Sequence, residues 1–129
     1  MTEPRYSLAH VGLEVSDFAA SRAFYERALE PLGIGVVMEF GEGYAGFGIP
    51  GRPSFWIRQA NGQPVSGPTH VAFHATERPR VDAFHAAALA AGGRDNGAPG
   101  LRPYHPTYYG AFVLDPDGNN VEAVCHLPE

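Results

Sequence analysis

His10-Val11-Gly12-Leu13-Glu14-Val15 returns sixty positions later as His70-Val71-Ala72-Phe73-His74-Ala75. The match continues without a gap. Asp17 to Gly33 carries Ala23-Phe24 and Ala28-Leu29, and Glu77 to Gly93 carries Ala83-Phe84 and Ala88-Leu89. Self-similarity at fixed spacing signifies two copies of one structural unit, here a strand followed by a helix. It also makes His10 and His70 equivalent positions. The module ends correspond at an offset of sixty-six, with Phe55-Trp56-Ile57 matching Val121-Glu122-Ala123. The extra residues fall between Gly97 and Tyr108. Each copy therefore reads β-α-β-β-β, the second with a longer loop.

Local patterns support this division. In Leu8 to Val15, Val11, Leu13 and Val15 alternate with His10, Gly12 and Glu14, the period of a half-buried strand. Ser16 or Asp17 is placed to cap the helix that follows, and Pro31 and Gly33 end it. Phe18, Tyr25, Ala28 and Leu32 form its apolar stripe. Gly35 to Phe40, Tyr44 to Ile49 and Ser54 to Gln59 are strand candidates separated by Gly- and Pro-rich turns. Asn61 to Pro68 is a polar linker. In the second copy, Val81, Phe84, Ala88 and Leu89 give the helix its core face. Arg94 to Asn96, Tyr109 to Leu114 and Asn120 to Cys125 are its later strands. The expected organisation is one domain over 1–129, with module one at about 6–60, a linker at about 61–68 and module two at about 69–127. The class is α+β, with the two βαβββ modules forming a curved, U-shaped mixed sheet.

Bulk properties exclude several functions. A chain of 129 residues suits one domain. The formal charge of −5 argues against a nucleic-acid surface, which is normally basic. All nine basic residues are arginine, so lysine chemistry is absent. No apolar run is long enough for a membrane span and no secretory leader is evident, so a cytoplasmic location is expected. The single Cys125 lies in an apolar strand and reads as a buried structural thiol.

Alternation directs the polar side chains. If Val11, Leu13, Val71 and Phe73 pack beneath the helices, His10 and His70 face the other way. Val121 and Ala123 take the packing role on the last strand, which puts Glu122 on the histidines' side. Two imidazoles and one carboxylate are a divalent-metal set that leaves coordination positions open for substrate. The expected cofactor is one divalent ion, with manganese, iron, nickel and zinc all suited to these donors. A lone strand histidine is ordinarily just a polar residue; here repeat equivalence and shared parity act on three residues together. The position matching Glu122 in module one is Trp56, which has no metal-binding lone pair and reads as a cavity wall. Glu14 is a candidate compensating ligand, and His74 a pocket residue or substitute ligand. As strand aromatics, Tyr44, Phe47 and Trp56 read first as core residues, with an aromatic cavity wall as the alternative. His85 is read as solvated, and His126 as without a specific role.

The loop from Gly97 to Tyr109 is stiffened by Pro99, Pro103 and Pro106. It reads either as a surface connection or as a lid beside the site. As a lid, Arg102 would hold an anionic group bidentately. His105 or Tyr104 would move a proton as the catalytic residue, and Tyr108 would line the substrate pocket with Trp56 and His74.

These features resemble the vicinal oxygen chelate superfamily, which includes glyoxalase I, extradiol dioxygenases, fosfomycin-resistance transferases, methylmalonyl-CoA epimerase and bleomycin-binding proteins. The resemblance spans almost the whole chain. It rests on His10-Val11-Gly12-Leu13, Ser21-Arg22-Ala23-Phe24-Tyr25, Thr69-His70-Val71-Ala72-Phe73, and Asp115-Pro116-Asp117-Gly118-Asn119-Asn120-Val121-Glu122. It implies a U-shaped sheet around a metal held by His10, His70 and Glu122, and a homodimer in which sites can form from modules of different subunits. The carboxylate that glyoxalase I supplies from its first module falls on Trp56, which sets this chain apart from that activity. The expected function is a metal-dependent lyase or isomerase of glyoxalase-like type, or a dioxygenase-like enzyme, acting on a small oxygen-chelating substrate. The alternatives are a non-catalytic small-molecule or antibiotic-binding protein and a structural dimer with a vestigial site.

Overall fold

The computed structural model describes residues 7–62, 64, 65 and 67–128. Module one runs β1 (Val11–Val15), α1 (Phe18–Leu29), a 3-10 turn (Glu30–Leu32), β2 (Gly35–Phe40), β3 (Tyr44–Ile49) and β4 (Arg52–Gln59). Module two runs β5 (His70–His74), α2 (Arg78–Ala90), β6 (Arg94–Leu101), β7 (Tyr109–Leu114) and β8 (Asn120–Cys125). The α+β class and the two βαβββ modules are those expected from the repeat. No helix among the described residues is long and apolar enough to cross a membrane.

Each module forms its own four-stranded sheet, ordered β1-β4-β3-β2 and β5-β8-β7-β6. The first strand of each pairs in parallel with the last, and the remaining pairs are antiparallel. The repeat is visible in register. Val11 faces Phe55 as Val71 faces Val121, and Gly12 faces Trp56 as Ala72 faces Glu122. No ladder joins β1 to β5 among the described residues, so within one chain the expected U is present as two separately bonded halves. Among the described residues β1 and β5 are sheet edges, each paired on one side only, and an edge backbone can meet another strand or chain.

The two helices pack on each other and on one face of each sheet, giving a single core. Asp17 caps α1 by accepting from the Ala20 N–H at 3.2 Å. Gly33, at φ 77°, ends the 3-10 turn in the left-handed conformation that other residues resist. Phe24, Tyr25, Phe47, Phe55 and Phe84 are fully enclosed, each contributing roughly 1.5–3 kcal/mol by burial. Phe55 and Phe73 meet edge to face across the module boundary at 5.2 Å. Both sheets thus turn their apolar faces to the shared core, and their opposite faces look away from it. Phe47 lies in this core, as read first for a strand aromatic and as alternation with Tyr44 requires, and not on the outward wall. Other side chains depart from the sequence reading. Val11 at the free end of β1 and Leu89 on α2 stay exposed, and His85 pairs with Asp95 at 2.9 Å. That bond, with the Gly97 N–H on the same carboxylate, holds Asp95 below the usual carboxylate range. Cys125 is buried.

The Asp115-Pro116-Asp117-Gly118-Asn119 turn locks the modules together. Asp115 is buried, and its carboxylate accepts from the N–H groups of Asp117 and Asn119, the Asn119 amide and the Tyr25 hydroxyl of α1. Asp117 accepts from the Ser16 N–H and hydroxyl. Asn119 accepts from the Thr69 N–H, immediately before His70. The turn therefore fixes both the α1 start and the β5 start.

Candidate metal centre

The outward face of the second sheet carries a built pair. His70 Nε2 lies 3.0 Å from Glu122 Oε1. The other atom of each group is engaged. His70 Nδ1 is 3.0 Å from the Asn120 carbonyl oxygen. A carbonyl only accepts, so Nδ1 carries a proton and Nε2 is the ring atom directed at the carboxylate. The Tyr108 hydroxyl donates to Glu122 Oε2. Glu122 is 1% exposed, whereas His70 is exposed and stacks on Phe112 at 6.2 Å. Burial, followed by the bond to Glu122, raises the Tyr108 phenol above its ordinary value, so it remains a donor.

This arrangement fits a cation. Two donors at about 2.1 Å from a six-coordinate ion stand about 3.0 Å apart at right angles, and about 3.4 Å apart in tetrahedral geometry; the 3.0 Å found here suits the first and equally an N···O hydrogen bond between the two side chains. Imidazole with its second nitrogen bonded to a backbone carbonyl is a metal-ligand geometry.

The first sheet presents a different surface. His10, just before β1, lines a recess of about 240 Å³ with Gly12, Leu13, Glu14, Tyr44, Trp56 and Arg58. Trp56 stacks on Phe40 at 6.0 Å and 11° and meets Tyr44 at 5.0 Å. The indole rests on Gly46, where a Cβ would stand 2.8 Å from the ring. Glu14 pairs with Arg58 at 2.5 Å.

Within one chain, the expected convergence of three ligands does not occur. Among the described residues no three His, Cys, Asp or Glu side chains come together as a metal site. The physical reason is topological. Alternation places His10, His70 and Glu122 on outward faces as read, but the faces belong to separate sheets backed onto one core.

The remaining candidates of the second module lie around Tyr108, Phe112 and His126. Tyr108 is bound to Glu122, where the sequence pattern suggested substrate contact. Its ring touches those of Tyr104, His105 and His126. His74 and His105 each approach His126, at 5.8 and 5.7 Å. Neither Tyr104 nor His105 hydrogen-bonds to His70 or Glu122 through its side chain; both lie one ring beyond. Arg102 turns back on its own segment, donating to the Ala98 carbonyl at 2.7 Å and lying over Phe112. The residues 94–101 form a full strand, so the connecting loop is shorter than expected. Phe40, Gly110, Phe112, Asn120 and His126 also belong to these surfaces and are not among the site candidates named from the sequence. Parity does signal Phe40, Gly110, Phe112 and Asn120, which share the outward faces with Trp56 or Glu122.

Comparison with known proteins agrees with this architecture. The profile of the Glyoxalase/Bleomycin resistance protein/Dioxygenase superfamily matches residues 7–123. A glyoxalase/bleomycin resistance protein from Albidiferax ferrireducens T118 is 34% identical over 92% of this chain and 97% of that one, with a TM-score of 0.77. A family enzyme from Burkholderia phytofirmans PsJN has 23% identity over 95% and 100% of the two chains, TM-score 0.72. Lactoylglutathione lyase from Agrobacterium tumefaciens has 22% identity over 96% of each, TM-score 0.66. No curated protein matches the chain. With a repeated βαβββ unit, a profile match over most of its length and a one-third-identical structural relative, the chain belongs to the glyoxalase/bleomycin resistance protein/dioxygenase superfamily.

Proposed function

We propose that the protein is a divalent-metal-dependent enzyme of the glyoxalase-like lyase or isomerase type, or of the dioxygenase-like type, acting on a small substrate with adjacent oxygens. The observation that carries this is the 3.0 Å approach of His70 Nε2 to Glu122 Oε1, with the other atom of each group tied down. The third ligand is His10 of a second copy. A homodimer that brings the outward face of one first sheet against the outward face of a partner's second sheet supplies it. The exposed edge strands and the exposed Leu8, Val11 and Phe40 support such an assembly.

The bound ion would supply Lewis-acid stabilisation of a developing oxyanion. The chain's own side chains do the rest. Asn120 keeps the proton on His70 Nδ1, and Tyr108 holds Glu122 Oε2. Phe40 and Trp56, nearly parallel, and Tyr44, tilted against both, form an apolar wall beside His10 that orients a small molecule and excludes water. Tyr104 and His105 shield Tyr108; we assign them no proton transfer. The same aromatic wall, with no carboxylate at position 56, favours a second reading, a protein that binds an aromatic small molecule without turnover.

Thermal unfolding with and without Mn²⁺, Ni²⁺ or Zn²⁺ separates the two. An ion at 100 times its dissociation constant should add about 2.7 kcal/mol of stability. Glu122→Ala and His70→Ala should abolish the increment. A wild-type midpoint that no ion moves would count against the enzyme, and retained binding of an aromatic ligand by His70→Ala would favour the binder.

A further inference from the structure

We infer that Tyr108 is a positioning residue for the metal: its hydroxyl holds Glu122 Oε2 and leaves Oε1 alone to face the cation beside His70 Nε2. The inference rests on the metal reading above and adds a residue and a coordination mode to it.

Three observations carry it. The hydroxyl is bonded to Oε2, while Oε1 is the atom near His70. The neighbouring backbone is shaped for this contact. A Cβ at Gly110 would stand 3.2 Å from both Glu122 Oε2 and Tyr108 Cε1, closer than side chains ordinarily pack, so glycine opens the space in which hydroxyl and carboxylate meet. Gly110 sits on β7, whose neighbour Phe112 is paired with Glu122. Finally, the phenol is held from outside. Tyr104, His105 and His126 contact its ring from three directions at 5.0–5.9 Å, the Tyr108 N–H bonds the His105 carbonyl, and its carbonyl accepts from the Arg102 N–H at 2.8 Å.

A buried carboxylate with one oxygen already bonded to a neutral donor is biased toward binding an ion through the other. Without the hydroxyl, Oε2 has no protein donor among the described residues, and both oxygens can turn toward the cation. Tyr108 thus acts through Glu122, and contacts of this kind typically change metal affinity by 10–100-fold.

The test is Zn²⁺ titration of the intact protein against a chromogenic chelator, combined with infrared difference spectra of the carboxylate stretches on Zn²⁺ addition. Tyr108→Phe preserves the ring and its packing. It should weaken Zn²⁺ binding by about 10–100-fold, and narrow the separation between antisymmetric and symmetric stretches as one-oxygen ligation gives way to two-oxygen ligation. Tyr109→Phe removes a phenol hydroxyl one residue away, bonded to Asp82, and should leave both readouts at wild-type values. Tyr108→Phe affinity within about threefold of wild type overturns the inference while leaving the metal reading intact. Weaker binding with an unmoved carboxylate band also overturns it, because the hydroxyl then serves packing alone. Wild-type protein that binds no Zn²⁺ removes the metal reading and the inference together.

Discussion

A metal site shared between subunits makes a quantitative prediction for mixed dimers. Consider His10→Ala and Glu122→Ala chains, each unable to complete a site alone. In a dimer of one of each, one site loses both residues. The other is intact, because His10 comes from the Glu122→Ala chain and His70 with Glu122 from the His10→Ala chain. Random association of equal amounts makes about half the dimers mixed, so about a quarter of all sites are restored. If each single loss weakens binding about 100-fold, free metal at ten times the wild-type dissociation constant fills about 90% of wild-type sites and about 9% of sites in either variant. The mixture should then show about 27% occupancy, because the sites that lose both residues stay empty. The assay is metal content after equilibrium dialysis of co-refolded chains carrying different tags, with mixed dimers confirmed by tandem capture. Occupancy remaining near 9% in captured mixed dimers would refute the shared site, whatever each variant does separately.

Other expectations concern the frame that holds the site. Tyr25→Phe removes one of four donors to the buried Asp115 carboxylate and should cost about 1.5–3 kcal/mol, read by urea unfolding at fixed protein concentration. Asp115→Asn should cost a similar amount, and the pair should couple by 0.5–3 kcal/mol; simple additivity would mean that the bond contributes nothing. Burial first, and Asp115 second, raise the Tyr25 phenol well above its ordinary value of about 10. The folded state holds that proton more tightly than the unfolded state, so its contribution is complete below pH about 10 and is lost as pH rises beyond it. Tyr25→Phe should accordingly show a shallower alkaline loss of stability than wild type, and an identical slope would contradict the linkage. Gly46→Ala would force a methyl to 2.8 Å from the Trp56 ring; it should cost about 1–3 kcal/mol and red-shift the emission of the sole tryptophan, an unchanged spectrum being the adverse result.

The repeat made most of this fold readable in advance. Two copies of one alternating strand fixed which side chains pair, and the register confirms that Trp56 and Glu122 occupy equivalent positions. Period-two parity also sent His10, His70 and Glu122 to the outward faces. Parity works within a sheet and carries no information on how two sheets are disposed, which is why assembly of the three ligands was not legible. The Asp-Pro-Asp-Gly turn was recognisable as a turn, but the partners of its carboxylates, Tyr25 and Ser16, lie about a hundred residues away. Bonds of that range leave no local pattern. Tyr108 was recognisable as a polar aromatic in a proline-rich loop; only the fold shows that it reaches Glu122.

Anomalous diffraction from crystals grown with Mn²⁺ or Zn²⁺ tests the metal assignment most directly. The account predicts one strong peak per chain, about 2.0–2.2 Å from His70 Nε2 and Glu122 Oε1, with His10 of the partner subunit completing the protein ligands. A peak confined to the His74, His105 and His126 cluster, or an ion at His70 and Glu122 with both His10 side chains remote from it, would contradict the assignment.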